Sequence, residues 1–134
     1  MITDIDAKIH EALRARIASM PGGYAIVYPG QVYPTNVTVP FILVTDVHFG
    51  NDRRYLGSDA DDWHTGDFML DAMVPISWTH TQLLGVAGDI RAWFTKDLVL
   101  GGLVRIEKTP AVTVAYRDGG FMRLPVVVNW RSVG

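Results

Sequence analysis

The clearest structural pattern in the chain is the segment FMRLPVVVNWR, residues 121–131. Apolar and polar side chains alternate along it, which is typical of a β-strand with one buried face and one exposed face. Proline lacks the N–H that a sheet ladder needs, so Pro125 predicts that this strand lies at a sheet edge or contains a bulge. The alternation predicts inward side chains at Met122, Leu124, Val126, Val128 and Trp130, and outward side chains at Arg123, Pro125, Asn129 and Arg131.

Other strands are predicted around this one. Asp118-Gly119-Gly120, just before it, is a strong hairpin signal because glycine adopts positive φ angles without penalty. The segment 67–76 also alternates, and it places Asp67 and Asp71 on an outward face. Short apolar runs predict the remaining strands, over residues 24–28, 41–49, 103–108 and 112–116.

Two helices complete the pattern. Ile5, Ile9, Ala12, Leu13, Ile17 and Met20 recur every three or four residues before Pro21-Gly22-Gly23, and Thr3 or Asp4 is a candidate N-cap. A second helix is predicted from Thr79 or Thr81 to Trp93-Phe94. It contains Gly85 and Gly88, which we interpret as positions of close approach to the sheet. The order α-β-β-β-α-β-β-β predicts an α+β fold, with a mostly antiparallel or mixed sheet and both helices packed on one face.

Composition limits the classes of protein that this chain can be. Its 134 residues predict one domain, residues 1–134, and a net charge of −2 gives no general attraction to nucleic acid or to a membrane surface. No apolar run is long enough for a membrane span, and the N-terminus lacks the pattern of a signal peptide. The chain has no cysteine, which excludes disulfides and thiol chemistry. We expect a cytoplasmic site of synthesis and assembly.

Motifs for catalysis are missing from the sequence. It contains neither a Gly-x-Ser-x-Gly elbow nor a glycine-rich phosphate loop, and its four histidines are too far apart in sequence for a local zinc pair. Asp59-Ala60-Asp61-Asp62 resembles a calcium cluster, but His64 and Leu70 occupy positions that an EF-hand gives to Gly and Glu. Asp67 with Asp71, or Asp61 with Asp62, is a weak acid–base candidate. Asp67 and Asp71 are predicted on the outward side of a strand, where we expect no perturbed pKa. We therefore predict no catalytic residue, metal or cofactor.

Residues 50–65 are predicted to form a long loop or arm, rich in glycine and charge. It combines tyrosine, tryptophan and arginine, which are enriched at interface hot spots, with charges of both signs. Two arginines near Asp59, Asp61 and Asp62 give little net field, which makes base stacking on a nucleic acid the weaker interpretation. A contact with an identical neighbour, which closes into a ring, suits the segment better. The candidate interface residues are Arg53, Arg54, Tyr55, Asp59, Asp61, Asp62 and Trp63.

The order of short motifs along the chain resembles the tail terminator-like proteins of long-tailed bacteriophages, prophages and phage-derived particles. None of these motifs is catalytic, and the resemblance lies in their order and spacing over nearly the whole length. They are Tyr28-Pro29-Gly30, Pro40 to Val44, Gly66 through Asp71 to Pro75, Trp93-Phe94, Val104-Arg105-Ile106 with Pro110, Asp118 to Phe121, Leu124-Pro125-Val126 and Trp130-Arg131.

This resemblance implies structural rather than enzymatic work. Such proteins are small domains that assemble into a ring, commonly of six copies. The ring caps the tail tube, ends its polymerisation and joins the tail to the head connector. The implied partners are further copies of the chain, the tail tube protein and the head–tail connector protein. No membrane and no sequence-specific nucleic acid is implied, although DNA passes through the lumen of such a ring.

Two alternative functions remain open at this point. The first is another head–tail connector, tail-completion or minor tail protein, which has similar size and fold. The second is a small ligand-binding domain or an enzyme with a dispersed site, which would need a concave pocket with convergent polar groups. In the favoured interpretation the protein is a virion component at the head-proximal end of the tail, assembled in the cytoplasm of the bacterial host.

Overall fold

The computed structural model describes residues 5–28, 30–32, 40–47, 50–53 and 62–133. The predicted order of helices and strands is confirmed, whereas Thr3 and Asp4, the candidate N-caps, lie outside the described residues. The elements are α1 (Ile5–Ala18), β1 (Ala25–Val27), β2 (Phe41–Val47), β3 (Gly50–Arg53), β4 (Asp62–Pro75), α2 (His80–Trp93), β5 (Val99–Leu100), β6 (Val104–Ile106), β7 (Ala111–Val112), β8 (Tyr116–Asp118) and β9 (Phe121–Val133).

The strands form one mixed sheet around the two longest strands, β4 and β9. The order across it is β1-β2-β4-β9-β6-β5, with β3 paired to β4 and with β7 and β8 paired to β9. β1 runs parallel to β2, and the other pairs are antiparallel. Strand β9 therefore has neighbours on both sides, and the prediction that it lies at a sheet edge is wrong.

The sheet accommodates Pro125 at an irregular point of the neighbouring strand. Val112 pairs with Val126 and Tyr116 pairs with Arg123, so residues 113–115 stand opposite only residues 124–125. The carbonyl of Pro125 accepts a bond from the Thr113 N–H at 3.1 Å, and in an antiparallel ladder the N–H and C=O of one residue face the same neighbour. The missing N–H thus falls where β7 has ended and β8 has not begun. This is the bulge alternative that the sequence left open.

Both helices cover one face of the sheet, as predicted. Leu13 and Ile17 of α1 and Leu83 and Ile90 of α2 belong to one buried cluster with the inward residues of the central strands. The inward side of β9 is also confirmed, because four of its five predicted members are buried and Met122 packs against them partly buried. The buried members are Leu124, Val126, Val128 and Trp130.

The opposite face of the sheet carries a second, smaller apolar cluster near the start of β2. Phe41 and Phe121 meet edge to face there, with ring centroids 5.0 Å apart. Successive residues of a strand point to opposite faces, so β2 is apolar on both sides. This explains its nearly continuous apolar sequence. The cluster consists of Val27, Phe41, Leu43, Met73 and Phe121.

Residues 50–65 are predicted as a long loop or arm, whereas in the structure both ends of this stretch are strands. β3 pairs with the beginning of β4, from Gly50 opposite Thr65 to Arg53 opposite Asp62. This register continues that of Val47 opposite Phe68, so β2 and β3 follow β4 along one line. The polar sequence of this stretch does not predict a strand. The strand forms because β4 makes backbone hydrogen bonds to β9 along almost its whole length. Residues 54–61 lie outside the described part.

Candidate functional site

Three of the predicted interface residues, Arg53, Asp62 and Trp63, lie at one end of the hairpin that β3 forms with β4. We call β3 together with residues 62–65 the hairpin arm. Arg53 stands opposite Asp62 in its ladder, and Trp63 stands between Asp52 on one side and Val133 of β9 on the other. The structure therefore brings three of the seven predicted residues together in the backbone. The other four, Arg54, Tyr55, Asp59 and Asp61, lie outside the described residues.

A charged network lies on the outer face of the sheet, the face turned away from the helices. Asp71 is only 1% exposed there and accepts a hydrogen bond from Nε of Arg123. Nη1 of Arg123 donates to Asp118 at 3.2 Å, and the guanidinium lies 5.7 Å from the ring centre of Tyr116. Burial raises the pKa of Asp71, although the bond and charge of Arg123 oppose this. The network connects the β8–β9 hairpin to β4.

This network changes the interpretation of Asp67 and Asp71 as an acid–base pair. Both lie on the predicted outward face, but Asp71 is buried rather than exposed, and its pKa is perturbed where we expected none. Asp67 accepts a hydrogen bond from Asn129 instead. Each carboxylate therefore has its own partner on β9, and the two do not form a shared acid–base site.

Helix α2 begins with a complete capping box. The Thr79 side chain accepts a bond from the Gln82 N–H, and the Gln82 side chain accepts one from the Thr79 N–H. Its buried face carries Leu83, Val86, Ala87 and Ile90.

The outer face of α2 corrects the interpretation of its two glycines. Gly85 and Gly88 are exposed, and a Cβ added to either would meet nothing within 4 Å. They do not serve a close approach to the sheet, and each costs about 1 kcal/mol relative to alanine in a helix. We call Thr81, Leu84, Gly85, Gly88 and Ala92 the outer face of α2. All five are exposed, Leu84 at 45%.

The ends of α1 and α2 are fastened to each other by a reciprocal contact. Arg16 donates two hydrogen bonds to the Trp93 carbonyl, at 3.1 and 2.7 Å, and the Trp93 indole donates to the Arg16 carbonyl at 2.8 Å. The guanidinium also stacks 3.6 Å from the indole centre. Close by, the Tyr24 hydroxyl donates to Asp89 at 2.7 Å. Burial, this bond and the charge of Asp89 raise the pKa of Tyr24 to about 12.

A basic corner occupies the outer face of the sheet at the β5–β6 end. Arg105 of β6 stands opposite Val99 of β5 and opposite Arg131 of β9. Val99 is 48% exposed and Arg105 is exposed. Arg131 lies 3.8 Å from Glu107. Like charges placed directly opposite in a sheet are unfavourable, so this corner is suited to receiving a negative group. We call Val99, Arg105 and Arg131 the β5–β6 corner.

Two clefts lined by described residues contain few chemically active groups. A cleft of about 320 Å³ lies between the end of α1 and α2, and its one carboxylate, Asp89, is bonded to Tyr24. A cleft of about 220 Å³ beside the start of α2 is lined mainly by apolar side chains and contains His80. Within the described ranges, no group of three or more histidine or acidic side chains could hold a metal ion. No helix in that part of the chain is long and apolar enough to cross a membrane.

Comparison with known families agrees with the resemblance in the sequence. The family model described as phage tail terminator protein matches residues 8–130, nearly the whole chain. The chain belongs to the phage tail terminator protein family. This is a family of structural phage proteins and not an enzyme family, and the protein is a structural component of a phage-type tail.

Solved structures share the fold of this terminator-family chain. One, a protein named only by a sequence identifier, is 17% identical with a TM-score of 0.63, and the match covers 93% of this chain and 95% of that one. Another comes from the virion of a native gene transfer agent particle; it is 13% identical with a TM-score of 0.57, covering 94% and 92% of the two chains. No curated protein matches the sequence significantly.

Two features of the site were missed by the sequence analysis although a signal for each was present. Leu83, Ala87 and Ile90 define the buried side of α2, and the helical period then places Gly85 and Gly88 on the opposite side. Asp71 lies between Leu70 and Ala72 in a strongly apolar strand, which is a signal of burial. The identity of its partner, Arg123, depends on the register between β4 and β9.

Proposed function

We propose that the protein forms a ring of identical copies, six as the resemblance implies, that caps the tail tube. The ring ends polymerisation of the tube and offers its other side to the head connector. The protein then lies at the head-proximal end of the tail, after assembly in the host cytoplasm. Its partners are its own copies, the tail tube protein and the connector protein, and DNA passes through the lumen without base recognition.

The observation that carries this proposal is the match of the terminator family model over residues 8–130. A match of this length includes α2, all the strands from β1 to β8 and most of α1 and β9, so it covers nearly the whole architecture and not one motif. The fold shared with a chain of a gene transfer agent virion supports a place in a tail-like particle. The absence of convergent polar groups in the described clefts gives no support to an enzyme or a ligand-binding domain.

We assign the contact between copies, or between the ring and the tube, in part to the hairpin arm. Its ladder ends at Arg53 and Asp62, and residues 54–61 follow in the chain between them. Arginine, tyrosine, tryptophan and aspartate are concentrated in these few positions, which is the composition of a protein interface with charges of both signs.

Light scattering on the purified protein, with and without assembled tail tubes, tests the proposal. We expect a species near six times the chain mass of 14.8 kDa, or a monomer that binds tube ends. Electron microscopy of tubes polymerising in its presence should show shorter tubes of more uniform length. A protein that stays monomeric or dimeric and leaves tube length unchanged would contradict the proposal. A protein that binds tubes only after a connector is added would favour the connector alternative.

A further inference from the structure

The outer face of α2 has features that the isolated chain does not use. Gly85 and Gly88 weaken the helix, yet nothing in the described part of the chain packs against them. Leu84, beside them, leaves an apolar side chain in solvent. A helix surface of small residues lets another backbone approach closely. The carboxylate of Asp89 accepts the bond from the Tyr24 hydroxyl and is still exposed, at one margin of this face.

The β5–β6 corner has the complementary features on the opposite side of the molecule. Val104 and Ile106 point into the core below the helices, so Arg105 between them points away from the helices. Val99 shares that outer face because it is paired with Arg105. The side chain of Arg105 forms no ion pair or hydrogen bond within the described part of the chain. An exposed apolar residue thus lies beside an exposed positive charge.

We propose that the outer face of α2 in one copy docks against the β5–β6 corner of the next copy. Leu84 then packs on Val99, Asp89 faces Arg105, and the two glycines let the neighbouring sheet come close. The two surfaces are different and lie on opposite faces of the chain, which is the arrangement that a head-to-tail ring requires. This inference rests on the proposed function and assigns the surfaces through which the copies meet.

A second copy suits these surfaces better than the phosphates of DNA do. Val99 places apolar area next to the arginines, and Glu107 lies beside Arg131. Both would lie unfavourably against a nucleic acid backbone, whereas an apolar centre with a charged rim is typical of protein interfaces. The net charge of −2 also gives no general attraction to DNA.

A charge swap tests the pairing directly. We expect Asp89→Arg and Arg105→Asp each to raise the apparent dissociation constant of the ring about tenfold or more, because like charges then meet. The double variant should restore assembly, since it rebuilds the pair with the charges exchanged. Arg117→Asp, at an exposed arginine of β8, is the matched control for Arg105→Asp, and Tyr24→Phe, which removes the bond to Asp89 and keeps its charge, is the control for Asp89→Arg. Light scattering over a concentration series gives the readout.

The outcomes separate this inference from the proposed ring. If the wild type forms rings and both single variants assemble equally well, the contact is wrong and the ring stands. If the single variants fail and the double variant does not recover, the pairing of Asp89 with Arg105 is overturned. Normal assembly of Arg105→Asp with weakened binding to double-stranded DNA would instead place this corner towards DNA. A wild type that never assembles, with or without tubes, overturns both proposals.

Gly88→Gln provides a test that does not depend on charge or on loss of fold. In the isolated chain the new side chain has free space and a better helix propensity, so its melting temperature should rise by about 2–4 °C. In the ring the same side chain would fill the space that the neighbour occupies, and assembly should fail. A variant that is more stable and still assembles normally would contradict the inference.

Discussion

At the scale of single residues, Asp71 and Arg123 depend on each other. Asp71 is buried on the outer face of the sheet, and Arg123 is its hydrogen-bond partner. Removing one member of a buried pair leaves a charge without compensation, which costs about 3 kcal/mol or more. We therefore expect Arg123→Ala to lower the free energy of unfolding by about that amount at pH 7, measured by urea denaturation.

The double variant Arg123→Ala/Asp71→Asn tests whether the uncompensated charge of Asp71 causes the loss of stability. Asparagine carries no charge to bury, so we expect it to recover part of the loss in the Arg123→Ala background. Arg117→Ala, an exposed arginine on the neighbouring strand, should change stability by less than about 0.5 kcal/mol. An Arg123→Ala protein as stable as the Arg117→Ala control would show that the network does not stabilise the fold.

The same carboxylate predicts a pH dependence with a definite sign. Burial raises the pKa of Asp71 in the folded protein above the ordinary value of 3.8. The folded state then holds the proton more tightly than the unfolded state. The resulting contribution to stability is present below pH 3.8 and is lost as the pH rises through the folded pKa. The free energy of unfolding, measured at several pH values, should rise for Asp71→Asn relative to the wild type as the pH rises. A difference between the two proteins that does not change with pH would contradict this.

At the scale of elements, the glycines of α2 and of the β8–β9 turn respond oppositely to one chemical change. Gly88 has a helical backbone and open space around it, so Gly88→Ala should raise the free energy of unfolding by about 1 kcal/mol. Gly119 has a φ of +60°, a conformation that costs an alanine roughly 1–2 kcal/mol. Thermal unfolding at low protein concentration should give shifts of opposite sign. Equal shifts would mean that backbone conformation does not control these positions.

The strands show how far the sequence determines the fold. The alternation of apolar and polar residues predicted the buried side of β9 correctly. One face of the strand packs on the core whether the strand is central or at an edge, so this pattern does not depend on its position in the sheet. The prediction from Pro125 was wrong because a proline needs only a local break in the neighbouring strand, not a sheet edge. That break is at residues 113–115, which are distant in sequence from the positions that flank Pro125. The strands at the two ends of 50–65 could not be predicted for a related reason. Their stability comes from pairing with β4 and β9, and their own side chains give no periodic signal.

At the scale of the whole molecule, the paired strands β4 and β9 connect the charged network, helix α2 and the hairpin arm. The Asp71 network lies on their outer face, α2 packs on their inner face, and the hairpin arm contains the first four residues of β4. One buried cluster within the chain joins both helices to the sheet. The contact proposed between α2 and the β5–β6 corner uses exposed residues outside this cluster. Folding and assembly can therefore be changed separately by mutation.

The hairpin arm allows this separation to be tested without touching the core. Arg53 and Asp62 are already paired, so replacing residues 54–61 by Asn-Gly would close the ladder with a two-residue turn. We expect the shortened protein to unfold at about the temperature of the wild type, because the described buried cluster and the strand ladders are kept. Ring formation or tube capping should be lost if these residues make the contact, and Arg53→Ala/Arg54→Ala should weaken it in the same direction. A shortened protein that still assembles and limits tube length would exclude the arm and leave the α2 face and the β5–β6 corner as the surfaces to test.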